Sequence, residues 1–358
     1  MRKLVIITAC IIFAAAASGC RPEQQTDFEP AAKNHVALNT VNRITIYDKS
    51  RRDAEMILDA AFGRIDEIEA AMSLYVDESE INQINRQAGV RSVQVSSETF
   101  ELLLLAEESA RISQGAFDPT IGPLVTAWGI SSDNPKIPDD EELDALLELV
   151  NYRNLVMEQP DRVFLVREGM KLDLGGIAKG YAADEAKRII REMGSSSALI
   201  NLGGNILLVG SKPDGTPWRI GVQDPHNSRG RYIVIITLKG GTVVTSGTYE
   251  RYFFDNHIRY HHILDTSTGF PADTGLESVT IVTENSAYAD ALSTAAFVLG
   301  LEKGFEFIES LQDVEAVFIT EDQRVFKTSG FSSPDLGVSL SHDDYRIIEG
   351  SPQQNTPK

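Results

Sequence analysis

Asp290, Ser293 and Thr294 stand at i, i+3 and i+4 in a stretch otherwise rich in alanine and leucine, NSAYADALSTAAFVLG. On a helix that spacing puts three oxygen-bearing side chains on one face. An acid beside two hydroxyls suits a hard cation such as Mg2+, which takes few protein oxygens and completes its shell with water and substrate phosphate. A second group, His261, His262 and Asp265, lies in YHHILDTSTGFPAD. Imidazole serves as a general base near neutral pH and a carboxylate can orient it. Neighbours on a strand face opposite ways, so at most one of the two histidines is expected to reach a site. A third group sits in KLDLGGIAKGYAADEA, residues 171–186, where Asp173 and Lys179 flank the turn Gly175-Gly176. A glycine turn opening a helix lets backbone N–H groups face an anion, most often phosphate. Each group also has a plain alternative: hydroxyls bonded back to their own helix, a surface histidine beside a turn, or a tight crossover with two solvated charges.

Positioning these groups requires strand, turn and helix in a set order. Residues 170–174 alternate like a strand end, and Ile177, Tyr181, Ala182 and Ala186 then recur at helical spacing towards Gly194. Upstream, residues 36–47 read as one strand and 52–72 as a long helix with Ile57, Ala61, Ile65, Ile68 and Met72 on one face. Tyr75 falls where that pattern breaks, before a short capped helix carrying Ile81 and Ile84. Residues 97–113 and 139–150 read as helices. Between them, GAFDPTIGPLVTAWGI is too apolar for an idle surface loop. A β-rich half follows, with strands near 197–245 and 277–282. A helix over 286–299 closes at Gly300, and a last helix (301–311) precedes strands near 314–327. There is no internal repeat and no long interior linker, which points to one α+β domain.

The 358 residues are 42% hydrophobic, enough for one large core. A formal charge of −19 repels phosphate backbones and argues against a nucleic-acid partner. Both cysteines, Cys10 and Cys20, precede the folded body, which therefore has no disulfide or cysteine metal site. Residues 1–20 read as an export signal: Arg2 and Lys3, an apolar run, then Ala17-Ser18-Gly19 before Cys20. That ending resembles the bacterial lipobox, with Cys20 as the lipidated residue. Residues 21–35, with Pro22 and Pro30, read as a flexible tether, and 348–358 as a disordered tail.

Taken in order, MSLYVDESEINQIN, GAFDPTIGPLVTAWG, DLGGIAKGYAADEA, NLGGN, TSGTYERYF, HHILDTSTGFP and ADALSTAAFVLG, spanning residues 72–300, resemble the ApbE family of flavin transferases. Members of that family attach FMN, taken from FAD, to a threonine or serine of another protein. The resemblance implies a single large domain over 36–347 with mixed and antiparallel sheets and flanking helices. It implies that Tyr75 lines a flavin pocket and that Ala116, Phe117, Asp118, Asp173, Lys179 and Leu264 contact FAD. Leu38 stands where many relatives read Met-Gly-Thr and is counted with them. Gly176, through its carbonyl, with Asp290 and Thr294, is implied to hold Mg2+; Ser293 replaces a second acid of some relatives and is grouped with these. His262 is the candidate base and Asp265 its orienting partner. The implied reaction is attack of an acceptor hydroxyl on the FMN-side phosphorus of FAD, with AMP leaving, and the metal reversing the local charge of an acidic chain. The implied setting is extracytoplasmic: a membrane-anchored lipoprotein serving an electron-transfer subunit. Two alternatives use the same pocket: a Mg2+-dependent FAD pyrophosphatase and a non-catalytic flavin-binding lipoprotein.

Overall fold

The computed structural model describes residues 28–227 and 230–355. Cys20 and the expected export signal lie outside them. Among the described residues no helix is long and apolar enough to cross a membrane.

Helix α1, Arg51–Met72, starts where the Ser50 side chain accepts the Asp53 N–H, and it buries Ile57, Leu58, Ala61, Ile65, Ile68 and Met72 at three- and four-residue intervals. Helix α2, Ala178–Glu192, presents small residues to its neighbours: Gly180, Ala182, Ala183 and Ala186 are all buried. Helix α3, Ser286–Glu309, is broken at Gly300, whose φ of 77° is left-handed, so the two helices read from the sequence run on through a kink.

These helices cover one face of a nine-stranded sheet. In chain order its strands are Ala31–Ala37 (β1), Thr40–Ile46 (β2), Ala198–Leu202 (β3), Asn205–Val209 (β4), Gly241–Gly247 (β5), Leu276–Thr283 (β6), Glu315–Thr320 (β7), Arg324–Lys327 (β8) and Arg346–Ile348 (β9). Spatial order follows chain order. Every neighbouring pair is antiparallel except β8 and β9, which run parallel. Side-chain alternation shows how the sheet is shared. Val279 and Ile281 of β6, with Ala316 and Phe318 of β7, join α3 in one core. Val282, Val317 and Ile319 point the other way into a core with Trp218, Ile220 and Ile236. That second core is roofed by a three-stranded sheet of Trp218–Gln223, Tyr232–Leu238 and Leu336–Leu340. The architecture is the α+β domain with mixed and antiparallel sheets expected from the sequence.

Three boundaries differ from expectation. Residues 36–47 are not one strand: they span the end of β1, a two-residue turn at Leu38-Asn39 with φ of 54° and 55°, and then β2 of the same hairpin. Both residues are left-handed, as in the primed turns that match strand twist, and neither is glycine, so the turn was hidden. The strand also starts at Ala31, inside the expected tether, where Lys33 pairs with Asp59 of α1. At the other end β9 and a 3-10 turn at Pro352–Asn355 occupy the start of the expected disordered tail.

The crossing of α2 and α3 sets the geometry of everything that follows. A Cβ on Gly180 would overlap the Ser286 carbonyl oxygen, so only glycine lets the helices approach this closely. Asp184 of α2 accepts the N–H groups of Ser286 and Ala287, each at 2.9 Å, and so caps α3 from outside. Burial outweighs those two N–H groups and raises its carboxyl to about 6. A folded pKa above the unfolded value means that this group's contribution is full below about 4 and is lost as pH rises through 6. Asp184→Asn keeps an acceptor oxygen without the charge. It is expected to be more stable than the wild type at pH 7 and to lose that advantage at pH 4, as measured by urea unfolding at both values.

Candidate active site

The glycine turn is held on both sides before its helix begins. Asp173 donates its N–H to the Pro119 carbonyl at 2.8 Å, and Gly122 donates to Lys171 O at 3.1 Å. Asp173 then accepts the Gly175 N–H on Oδ1 at 2.7 Å, which closes the turn. Its surroundings raise the carboxyl through burial, against the opposing pull of the Gly175 N–H and of Lys179 and Arg251. Helix α2 follows with no side-chain cap of its own. The anion that meets its first turn belongs to the chain: Asp290 Oδ2 accepts the Gly180 N–H at 3.1 Å. Lys179 bridges the same elements, with Nζ 2.9 Å from Gly175 O and 3.4 Å from Asp290 Oδ2. Asp290 is only 4% exposed. Gly176 backs onto the same spot, since a Cβ there would sit 3.2 Å from the Phe117 ring and 3.5 Å from Thr294 Oγ1.

These groups line a cavity of about 820 Å3, within the usual range for a small-molecule site. Tyr75, Ala116, Phe117, Asp118, Asp173 and Gly176 form part of its wall, as do Lys179, His262, Leu264, Asp290 and Thr294. Tyr75 is half-exposed at the mouth; burial and then the charge of Asp173 raise its phenol. Asp118 lines the wall with both oxygens engaged: Oδ1 accepts from Thr120 N–H and Oγ1, and Oδ2 from Tyr152 N–H. The apolar stretch around Trp128 forms a short helix, Gly122–Trp128, pinned by Trp128 Nε1 donating to Gly269 O at 2.7 Å. Leu264 packs there against Leu124 and Trp128.

Strand alternation separates the two histidines as expected. His261 turns inward and packs edge-on against Phe297 at 5.7 Å, with burial lowering it to about 4. His262 faces the cavity, and burial, followed by the charges of Arg251 and Lys179, lowers it to about 3.

Three expected site residues are placed differently. Asp265 accepts the N–H and Oγ of Ser267 at 2.8 and 2.7 Å, closing its own turn, while His262 Nδ1 lies 3.3 Å from the Arg251 carbonyl. The orienting contact therefore comes from the backbone of Arg251. Ser293 is fully buried behind Asp290, with its hydroxyl 2.8 Å from Ser246 Oγ and donating to Asp290 O at 2.9 Å. It braces the acid from behind. Leu38 packs into the helix-side core and donates its N–H to Glu69, so the cavity wall at this hairpin is Asn39, Thr40 and Val41. Sequence reading missed Ser246 and Arg251, which also line the cavity. Both lie in TSGTYERYF, whose concentration of polar residues at the end of a buried strand was the available signal.

The donors that remain on this wall are hard oxygens: one carboxylate on Asp290, the Thr294 hydroxyl and the backbone at Gly176. Among the described residues no three His, Cys, Asp or Glu side chains cluster as a metal cage. A small oxygen set of this kind fits Mg2+, which leaves positions for water and phosphate, and does not fit a metal needing nitrogen or sulfur.

The sequence model of the ApbE family matches residues 38–318. An FAD:protein FMN transferase of Treponema pallidum is 34% identical over 340 residues, covering 90% of this chain and 92% of the relative. One from Klebsiella pneumoniae is 37% identical over 297 residues, covering 82% and 91%. Among solved structures, the ApbE protein of Thermotoga maritima superposes with a TM-score of 0.78 at 35% identity, covering 85% of this chain and 98% of that one. The flavin transferase ApbE of Vibrio cholerae gives a TM-score of 0.74 at 26% identity, covering 87% and 97%. Matched along most of its length in both sequence and fold, this chain belongs to the ApbE family.

Proposed function

We propose that the protein is a Mg2+-dependent FAD:protein FMN transferase that esterifies a threonine or serine of an acceptor protein and releases AMP. The observation that carries this reading is the meeting of Lys179, Gly176, Asp290 and Thr294 on one wall of a cavity that also holds His262. Asp290, Thr294 and the Gly176 carbonyl would hold the ion. When bound, Mg2+ neutralises the diphosphate and stabilises charge developing on it. Lys179, already poised between Gly175 and Asp290, supplies a further positive charge for the diphosphate. His262 presents Nδ1 to the Arg251 carbonyl, so Nδ1 carries the proton and Nε2 is the basic atom. It is neutral at physiological pH, and the negative charge of a bound diphosphate raises its basicity. As the acceptor oxygen bonds to the FMN-side phosphorus, its proton passes to Nε2, the bond to AMP breaks, and AMP leaves. The membrane setting belongs to the same proposal: Cys20 is the lipid-anchored residue, and the acceptor is an extracytoplasmic electron-transfer subunit.

Incubation with FAD, Mg2+ and a flavin-acceptor domain tests the reading. Covalent flavin fluorescence on the acceptor band, with AMP in equal amount, is the expected result. Free FMN and AMP alone make the protein a pyrophosphatase, and FAD recovered unchanged makes it a carrier. Lys179→Ala is expected to raise the FAD dissociation constant about tenfold while moving the thermal midpoint by only a few degrees, because its ammonium is part-exposed and spends little on folding. Titration calorimetry and a melting curve on the same preparation check both halves.

A further inference from the structure

No side chain of the helix Glu80–Arg86 lines the active-site cavity, yet two of its amides hold segments that do. Asn82 Nδ2 donates to the carbonyls of Leu74 at 2.8 Å and Val76 at 2.9 Å, the residues on either side of Tyr75. Asn85 grips Leu172 at both backbone atoms: Nδ2 donates to Leu172 O at 3.1 Å and Oδ1 accepts the Leu172 N–H at 2.6 Å. The next residue is Asp173. On its other side the same segment pairs with Pro119 and Gly122, so Asn85 stands in for the missing second strand. Asn82 and Asn85 are three residues apart and share a face of the helix. Ile81 and Ile84, both fully buried, root that helix in the core.

We infer that Asn82 and Asn85 are positioning residues of the flavin site: one buried-rooted helix fixes Tyr75 against Asp173, setting the width of the cavity between two segments about a hundred residues apart in sequence. The inference rests on the reading of the cavity as an FAD site. It assigns the motif SEINQIN a role that neither its burial nor its capping explains. Bonds to the carbonyls on either side of Tyr75 leave it one backbone path, and a two-point amide clamp leaves Leu172 no freedom to rotate.

A double-mutant cycle separates positioning from plain structural support. FAD dissociation constants are measured in EDTA, so that turnover does not intervene. Asn82→Ala is expected to raise the constant about tenfold in the wild-type background and less than twofold in a Tyr75→Ala background. Asn85→Asp keeps the shape but sets an oxygen against Leu172 O. It is expected to behave the same way against Asp173→Asn. Equal factors in both backgrounds, or no change in either single variant, overturn the inference. Should Asn82→Ala fail to fold, Asn82→Asp, which cannot donate to the two carbonyls, replaces it in the cycle. A wild-type protein that binds no FAD overturns the underlying reading instead, and is recognised before any variant is made.

Discussion

Asp290→Ala is expected to lower AMP release from FAD by about a thousandfold, the scale of losing a group that stabilises charge in the transition state. The carboxylate of α3 reaches across to the first turn of α2, accepting the Gly180 N–H, and it is almost fully buried. Removing it takes away the strongest oxygen donor of the proposed Mg2+ site and leaves the Gly180 N–H and the Lys179 ammonium facing one another without an anion between them. Lys179 is part-exposed and can turn to water, so the fold is expected to survive with a modest loss of stability. Asp290→Asn sharpens the comparison, since its amide oxygen can still accept from Gly180 while the charge is gone. Calorimetric Mg2+ titration is expected to show binding lost in both variants. Wild-type rates of AMP release in Asp290→Asn would refute the metal assignment outright.

The second large effect is expected at His262. His262→Gln removes the basic nitrogen while keeping a polar side chain, and transfer to the acceptor is expected to fall by a factor of about 100 to 10,000, the usual contribution of a general base. FAD affinity is expected to change by no more than a few-fold. The same residue predicts the shape of the pH profile. Burial, with the charges of Arg251 and Lys179, holds the imidazole near 3 in the free protein. The acid limb of kcat/KM is therefore expected well below the ordinary histidine range, and a limb centred near 6.5 would show that His262 is not the group observed. Stability follows the same sign. The unfolded chain takes up protons on His261 and His262 near pH 6.5, whereas the folded chain holds them near 4 and 3. Between those values the unfolded state binds more protons, so stability falls as pH falls. This slope opposes that of Asp184, and the pH of greatest stability reflects both.

How far the sequence could be read depended on what each residue's nearest neighbours do. Long helices such as α1 were legible because burial repeats with the helical period, and strand β6 because Val279, Thr280, Ile281 and Val282 form a β-branched run. His261 and His262 were separable in advance by strand alternation alone. Asp265 and Ser293 were not, because spacing shows which side chains share a face but not whether a local donor has already claimed them. Ser267 closes on Asp265 two residues later, and Ser246, on β5, takes Ser293 of α3. Leu38 was misplaced because a left-handed turn without glycine carries no sequence mark, and one residue of register decides which side chain reaches the cavity. Arg251 was hidden for a different reason: its contact with His262 is made by backbone, which no residue type announces. The roles of Asn82 and Asn85 likewise depend on carbonyls brought close only by the tertiary fold.

The cavity wall runs from Asn39, in the first hairpin, to Thr294, deep in the last long helix. Between them, Arg251 fastens the first hairpin by donating to the Asn39 carbonyl at 3.3 Å. During biosynthesis, a polypeptide that has not yet reached Asp290 lacks one side of this vessel, the side that carries Asp290 and Thr294. The complete cavity belongs to the finished molecule. Since a ligand stabilises only the state that binds it, truncated or half-folded products gain no protection from flavin in their surroundings, while completed copies do.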